Sequence, residues 1–132
     1  MVIDTSAIVA ILCDETERRQ FNERIVASRE CWISAATLLE ARIVLFTRFG
    51  EGAVVALDAF LLRSGIEVAD VTTKSEEIAF DAYRKFGKGS GHPAGLKYGD
   101  CFSYALAKSL DAPLLFKGDD FSKTDIRSAV AI

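Results

Sequence analysis

The chain has one histidine and only three cysteines, and this shortage restricts the metal sites that it can build. Cys13, Cys31 and Cys101 are odd in number and widely spaced, which fits neither a disulfide framework nor a CxxC metal site. We interpret them as small apolar core residues. With His92 as the single imidazole, the composition argues against a zinc site.

The sequence also lacks a long hydrophobic run and a basic N-terminal leader. No apolar stretch approaches the roughly 20 residues of a membrane span, so we expect a cytoplasmic protein with no membrane contact. The net charge of -3 argues against a general nucleic-acid coating protein but not against a local basic patch. A length of 132 residues, half of them apolar, predicts one domain over residues 1–132.

Short apolar runs alternate with segments of helical periodicity. The runs predict strands at 1–3, 31–33, 66–68 and 114–116, with 128–130 as a possible edge strand. Helices are predicted at about 7–12, 15–28, 34–48, 53–63, 75–86 and 98–110, with Ser34 as a cap and Thr73–Glu76 as a capping box. This alternation predicts an α/β fold with a mostly parallel sheet between layers of helices.

The helices predicted between Ser34 and Arg63 contain more apolar residues than one core-facing stripe requires. The excess includes Leu45, Phe46, Phe49, Phe60 and Leu61. Two interpretations remain open, which are core packing on two faces and a surface that meets a protein partner.

Two acidic positions follow predicted strands. Asp4 comes directly after the first strand, where the chain turns into a helix, and Thr5 and Ser6 suit that turn and its cap. Asp119 and Asp120 come directly after the fourth strand, where turn chemistry is the alternative explanation. Functional sites of open α/β sheets lie outside the carboxyl ends of the strands, so these acids are candidates for a site.

Two further acids lie early in predicted helices. Glu40 falls on the helical face of Leu39 and Ile43, where an uncompensated carboxylate is costly, although Thr37–Glu40 also has the spacing of a capping box. Asp100 begins the helix at 98–110, where an ordinary acid favoured by the helix dipole is the alternative.

All these acids are expected to open onto one edge of the sheet. Such a cluster would repel itself and raise its own pKa values unless a cation compensates it. Oxygen ligands suit Mg²⁺ or Mn²⁺, and such an ion supports phosphoryl chemistry by activating water.

A basic segment lies next to these acids in the sequence. Between Asp81 and Asp100 the chain has no acid, and Lys85, Lys88, His92 and Lys97 fall in this interval, which includes a glycine-rich stretch predicted to be an exposed loop. A solvated loop is the simple explanation. The alternative is an arm that binds a polyanion such as RNA.

Four segments resemble PIN-domain ribonucleases, and specifically VapC toxins of bacterial toxin–antitoxin pairs. They are Met1–Ala7, Ser34–Ala41, Gly95–Lys108 and Leu114–Phe121, in family order along nearly the whole chain. The resemblance implies a PIN-like three-layer α/β/α sandwich with a central, mostly parallel sheet of four to five strands. It also implies a Mg²⁺- or Mn²⁺-dependent endoribonuclease, usually a homodimer, that cleaves RNA such as tRNA or rRNA and is silenced by a VapB antitoxin.

By the family pattern, Asp4, Glu40 and Asp100 are the core acids. The fourth acidic position varies in the family and falls here on Asp119, with Asp120 beside it as a supporting or substitute ligand. The implied metal ligands are Asp4, Asp100 and Asp119.

The resemblance also gives Thr5 and Ser6 the role of orienting the metal or its waters. It leaves open an RNA-maturation nuclease outside a toxin–antitoxin pair and a catalytically silent binding module. A haloacid-dehalogenase-type phosphatase is disfavoured because it needs a second aspartate at the position of Ser6, and a receiver domain needs an acidic pair where Asp4 stands alone.

Overall fold

The computed structural model describes residues 1–130, which form a four-stranded parallel sheet with helices on both faces. The elements in chain order are β1 (Val2–Ile3), α1 (Thr5–Leu12), α2 (Arg18–Ala27), β2 (Cys31–Ser34), α3 (Ala35–Phe49), α4 (Glu51–Ser64), β3 (Ile66–Ala69), α5 (Thr73–Phe86), α6 (Tyr98–Ser109) and β4 (Leu114–Leu115). A 3₁₀ turn follows at Phe121–Lys123. The predicted three-layer α/β/α fold is confirmed. None of the helices in the described part of the chain is long and apolar enough to cross a membrane.

The sheet order is β3-β2-β1-β4, and every strand pair is parallel. Val2 lies opposite Leu114, and Ile3 lies opposite Leu115. Because successive side chains of a strand alternate between faces, Val2 and Leu114 join one core cluster while Ile3 and Leu115 join the other. β1 is therefore buried on both faces and between two strands, which places its carboxyl end near the middle of the sheet edge.

The two core clusters correspond to the two helical layers. Helices α1 to α4 supply one cluster, with Ile8, Phe21, Leu45, Leu57 and Phe60 among its members. Helices α5 and α6 supply the other, with Ala82, Tyr104 and Ala105 among its members. The sheet lies between the layers, as strands rich in buried apolar residues on both faces require.

Two local predictions were wrong. The edge strand at 128–130 is only an isolated bridge between Leu114 and Ser128, because β4 is two residues long and offers little backbone to pair. The capping box of α5 is formed by Thr72 and Ser75 and not by Thr73–Glu76. Thr72 Oγ1 accepts from the Ser75 N–H at 3.1 Å, and Ser75 Oγ accepts from the Thr72 N–H at 2.8 Å.

The apolar excess of α3 and α4 divides between the core and the surface. Leu45, Phe60 and Leu61 are buried, whereas Phe46 and Phe49 are exposed. Core packing therefore accounts for Leu45, Phe60 and Leu61, and it does not account for Phe46 and Phe49. Phe60 belongs to the core and is not available to a partner.

Candidate active site

Asp4 is held at the carboxyl end of β1 by hydrogen bonds from two elements. Its Oδ2 accepts from the Ser6 N–H at 3.0 Å and from Ser6 Oγ at 2.7 Å, so Asp4 itself is the N-cap of α1. Its Oδ1 accepts from Ser103 Oγ of α6 at 2.5 Å. The side chain is only 4% exposed, and within residues 1–130 no ion pair involves it. A buried carboxylate without a cation is costly, which fits a site that binds one.

Glu40 extends from α3 towards the same region. Thr5 Oγ1 donates to Glu40 Oε1 at 2.7 Å, so the residue after Asp4 orients this second acid. The Glu40 carboxylate also packs directly against Gly99 of α6. A Cβ atom at Gly99 would lie 2.6–2.8 Å from the carboxylate atoms, so any other residue there would displace the Glu40 carboxylate.

The predicted surroundings of Glu40 were wrong. Leu39 and Ile43 of the expected stripe are exposed, and the buried face of α3 carries Thr37, Leu38, Ala41 and Leu45. Glu40 lies at the border of that face, half-buried, and its place is set by contacts with α1 and α6. Periodicity alone could not show this because both faces of α3 are apolar.

Asp100 combines a structural and an electrostatic role. Its Oδ2 accepts from the Lys97 N–H at 2.9 Å, which stabilises the first turn of α6 as the helix-start interpretation predicted. Burial is the main reason that the pKa of Asp100 rises from its usual 3.8 to about 6. The negative charges of Asp4, Asp120 and Glu40 add to this rise in pKa, and the hydrogen bond from Lys97 opposes it. The carboxylates are therefore close enough to repel one another.

Asp119 and Asp120 are the two candidates for the fourth acid. Asp119 and Asp120 are both exposed after the turn at Gly118, whose φ of 102° favours glycine. Asp120 is the one whose charge contributes to the raised pKa of Asp100. The backbone carbonyl of Asp119 accepts from Ser122 Oγ at 2.6 Å. The electrostatics thus favour Asp120 over Asp119 as the acid facing the cluster.

Carboxylate oxygens are the donor type that a hard divalent cation prefers. Within residues 1–130, however, no group of three His, Cys, Asp or Glu side chains lies where it could hold one ion, so Asp4, Asp100 and Asp119 do not form a complete protein site. Mg²⁺ is usually bound by one or two carboxylates and retains several waters, so a closed protein cage is not required. Asp4 and Asp100 present carboxylate oxygens that repel each other, which is the arrangement that a divalent ion would stabilise.

Asp4 is also supported by Ser103, a buried residue that was not predicted from the sequence. Ser103 donates to Asp4 and lies 3.2 Å, oxygen to oxygen, from Thr37 Oγ1, in a fully buried polar contact between α3 and α6. Ser6 was predicted, and its Oγ also accepts from the Lys117 N–H at 3.0 Å, which ties the end of β4 to the site. One sequence signal for Ser103 existed, because it is a polar residue one helical turn after Gly99 and Asp100.

The four predicted basic residues divide into two groups. Lys85 forms an exposed ion pair with Asp81 at 3.0 Å, and His92 Nδ1 accepts from the Ala94 N–H at 3.0 Å. Lys88 and Lys97 instead line a cleft between α5 and α6. The glycine-rich segment is a loop, as predicted, although a bridge between Gly87 and Leu96 closes its base.

Comparison with known proteins agrees with this architecture. The PIN domain family matches residues 1–127. Ribonuclease VapC30 of Mycobacterium tuberculosis is 48% identical over 126 residues, covering 96% of this chain and 95% of that protein. Mycobacterium tuberculosis VapC20, a Sarcin-Ricin loop cleaving toxin, superposes with a TM-score of 0.75 at 22% identity, covering 95% of each chain.

VapBC2 from Rickettsia felis, solved with a DNA fragment from its promoter, superposes with a TM-score of 0.75 at 17% identity, covering 96% of this chain and 94% of that one. The two solved structures share the fold. The family match over nearly the whole chain and the 48% identity to a VapC ribonuclease go further. They show that this chain belongs to the PIN-domain family, among the VapC ribonucleases.

Proposed function

We propose that the protein is a Mg²⁺- or Mn²⁺-dependent endoribonuclease that acts as the toxin of a toxin–antitoxin pair. The observation that carries the proposal is the buried carboxylate of Asp4, which is fixed by Ser6 and Ser103 and is close enough to Asp100 for their charges to interact. A catalytically silent binding module would use these acids only to stabilise the starts of α1 and α6, and placing them close together would be a cost. Phosphodiester hydrolysis uses it, because a metal ion held there faces the charge that develops on phosphorus.

Asp4 and Asp100 would hold the ion directly, and Glu40 and Asp120 would reach it through water. When bound, the ion activates water and neutralises charge on the phosphoryl oxygens. Ser6 fixes the Asp4 carboxylate in one orientation. Thr5 fixes Glu40 through Oε1, which leaves its second oxygen to accept a hydrogen bond from the attacking water. No protein nucleophile is needed.

The substrate class is RNA, with tRNA and rRNA as the proposed targets. VapC20, which shares this fold, is a Sarcin-Ricin loop cleaving toxin, so rRNA is one target to test here. An RNA-maturation nuclease would use the same acids. The 48% identity to VapC30 favours the toxin.

A VapB-type antitoxin is the proposed partner, and the toxin–antitoxin pair from Rickettsia felis supports it. Leu39, Ile43 and Phe46 form an exposed apolar stripe along α3 that begins next to Glu40. An amphipathic helix could bind this stripe, and a following basic residue could then reach the carboxylates. The family resemblance also leads us to propose a cytoplasmic homodimer.

The test is cleavage of end-labelled RNA by purified protein with Mg²⁺, with Mn²⁺ and with EDTA. Cleavage should require the ion, and Asp4→Asn should abolish it while the protein remains folded. Asp111→Asn is the matched control. Asp111 precedes the amino end of β4, at the end of the strands opposite to Asp4, is exposed, and has a positive φ that asparagine tolerates. Cleavage by Asp4→Asn at the rate of the control would contradict the proposal.

A further inference from the structure

A cleft of about 530 Å³ opens between α5 and α6, and its walls are largely aromatic. Phe80 and Tyr83 come from α5, and Tyr98 and Phe102 come from α6. Phe80 is 56% exposed and Tyr98 is 79% exposed, so the core does not account for them. Exposed aromatic residues gathered around one concave surface indicate a binding site.

The aromatic walls are held in place by local contacts. Tyr83 donates its hydroxyl to the Lys88 carbonyl at 2.6 Å, and its ring packs so closely on Gly87 that a Cβ there would lie 2.7 Å from ring atoms. The Tyr98 and Phe102 rings meet edge to face, with centroids 5.1 Å apart. These contacts restrict the Tyr83, Tyr98 and Phe102 side chains, which would lower the entropic cost of binding.

The charges around the cleft suit a polyanion. Three charged residues are among those that line it, and two of them, Lys88 and Lys97, are basic, while Glu76 is acidic. The Arg84 guanidinium lies 4.6 Å from the centroid of the Phe80 ring. Aromatic faces next to cationic side chains are the combination by which proteins bind single-stranded nucleic acid, where bases stack and phosphates pair with lysine or arginine.

Helix α6 joins the cleft to the candidate active site. Tyr98, Cys101 and Phe102 line the cleft. Gly99 and Ser103, one turn apart on another face of the helix, contact Glu40 and Asp4. A helix with its side chains is about 10 Å across, so an RNA strand passing over the first turn of α6 can reach both the cleft and the candidate active site.

We propose that this cleft is a nucleobase subsite, which binds a base of the single-stranded RNA close to the cleaved phosphodiester by stacking on its aromatic walls. Lys88 and Lys97 hold the adjoining phosphates. The cleft volume lies within the roughly 300–1,000 Å³ of typical small-molecule sites, which is enough for a base with its sugar. This inference rests on the proposed ribonuclease activity and adds a source of position-specific recognition.

The test combines abasic nucleotides in the RNA with substitutions in the cleft. Short fluorescent RNAs spanning a cleavage site mapped with the wild-type enzyme would carry one abasic nucleotide at each position in turn. Their Kd values would be measured in EDTA for the wild-type protein, Phe80→Ala and Tyr98→Ala. Tyr98→Leu keeps apolar bulk without the aromatic face. Phe49→Ala removes a similarly exposed ring, 61% exposed, at the far end of α3.

One abasic position near the cleaved bond should raise the wild-type Kd roughly 5- to 100-fold, the range expected for loss of one stacked base. An abasic nucleotide at the same position should change the Kd of Phe80→Ala, Tyr98→Ala and Tyr98→Leu very little, because these variants have already lost the stacking contact. Phe49→Ala should behave like the wild type.

Different failures lead to different conclusions. If the wild-type protein cleaves no RNA, the proposed function fails first. If it cleaves RNA but the abasic penalty is the same in every variant, the base subsite is wrong. If the variants lose affinity equally for all oligonucleotides and their mass in solution falls from dimer to monomer, the cleft is a self-association surface and the inference is overturned.

Discussion

Replacing Asp100 by asparagine should stabilise the metal-free protein while abolishing cleavage. The side chain keeps its shape, and the asparagine oxygen can still accept from the Lys97 N–H. What disappears is a partly buried negative charge near Asp4, Glu40 and Asp120. Burial, together with repulsion from those three acids, raises the pKa of Asp100 to about 6. Ionised Asp100 therefore costs folding free energy that the neutral amide does not.

The size of this effect follows from the raised pKa. A carboxyl group with a pKa of 3.8 when unfolded and about 6 when folded destabilises the ionised protein by at most about 3 kcal/mol. Asp100 is only half-buried and solvent screens the effect, so we expect about 1–2 kcal/mol. For a domain of this size that gain is roughly 3–8 °C in Tm.

The stability gained by Asp100→Asn should depend on pH. Because the folded pKa of Asp100 is raised, the penalty is absent below the unfolded value, grows as the pH rises from about 4 to 6, and is constant above. Denaturant unfolding in EDTA should therefore show a gain for Asp100→Asn at about pH 8 that mostly disappears at about pH 4. Asp111→Asn should show no such pattern.

Two results would refute this reasoning. One is an Asp100→Asn protein that is less stable than the wild type in EDTA at neutral pH. The other is a gain that does not change with pH. Adding Mg²⁺ should then stabilise the wild type more than the variant, since an ion that binds only the folded state adds stability by mass action.

Other substitutions test the neighbouring assignments. Asp120→Asn should slow single-turnover RNA cleavage more than Asp119→Asn does; the reverse order would restore Asp119 as the fourth acid. Ser103→Ala should weaken Mn²⁺ affinity roughly 10- to 100-fold, the usual effect of removing a residue that orients a ligand, as measured by calorimetry. Wild-type affinity would show that Ser103 only packs. Ile43→Ser combined with Phe46→Ser should weaken antitoxin binding in calorimetry without slowing the free enzyme, and unchanged antitoxin affinity would remove the α3 stripe from that interface.

The sequence alone determined the alternation of strands and helices and the positions of most acids along it. Asp4 follows a short run of β-branched residues and precedes a helical pattern, so its place at the carboxyl end of a strand could be read directly. Local information suffices there because strand and helix periodicities are properties of neighbouring residues. The motifs around Asp4, Glu40 and Asp100 also sufficed to indicate the family.

Only the tertiary structure decided which neighbours these residues meet. Whether Phe46 or Phe60 is buried, and whether Asp119 or Asp120 faces Asp100, depends on elements that are distant in sequence. The same holds for Ser103, which reaches Asp4 across 99 positions of the chain. Apolar patterning shows that a helix has a face to bury, but the packing of layers selects which face is covered and which side chains meet at the edge of the sheet.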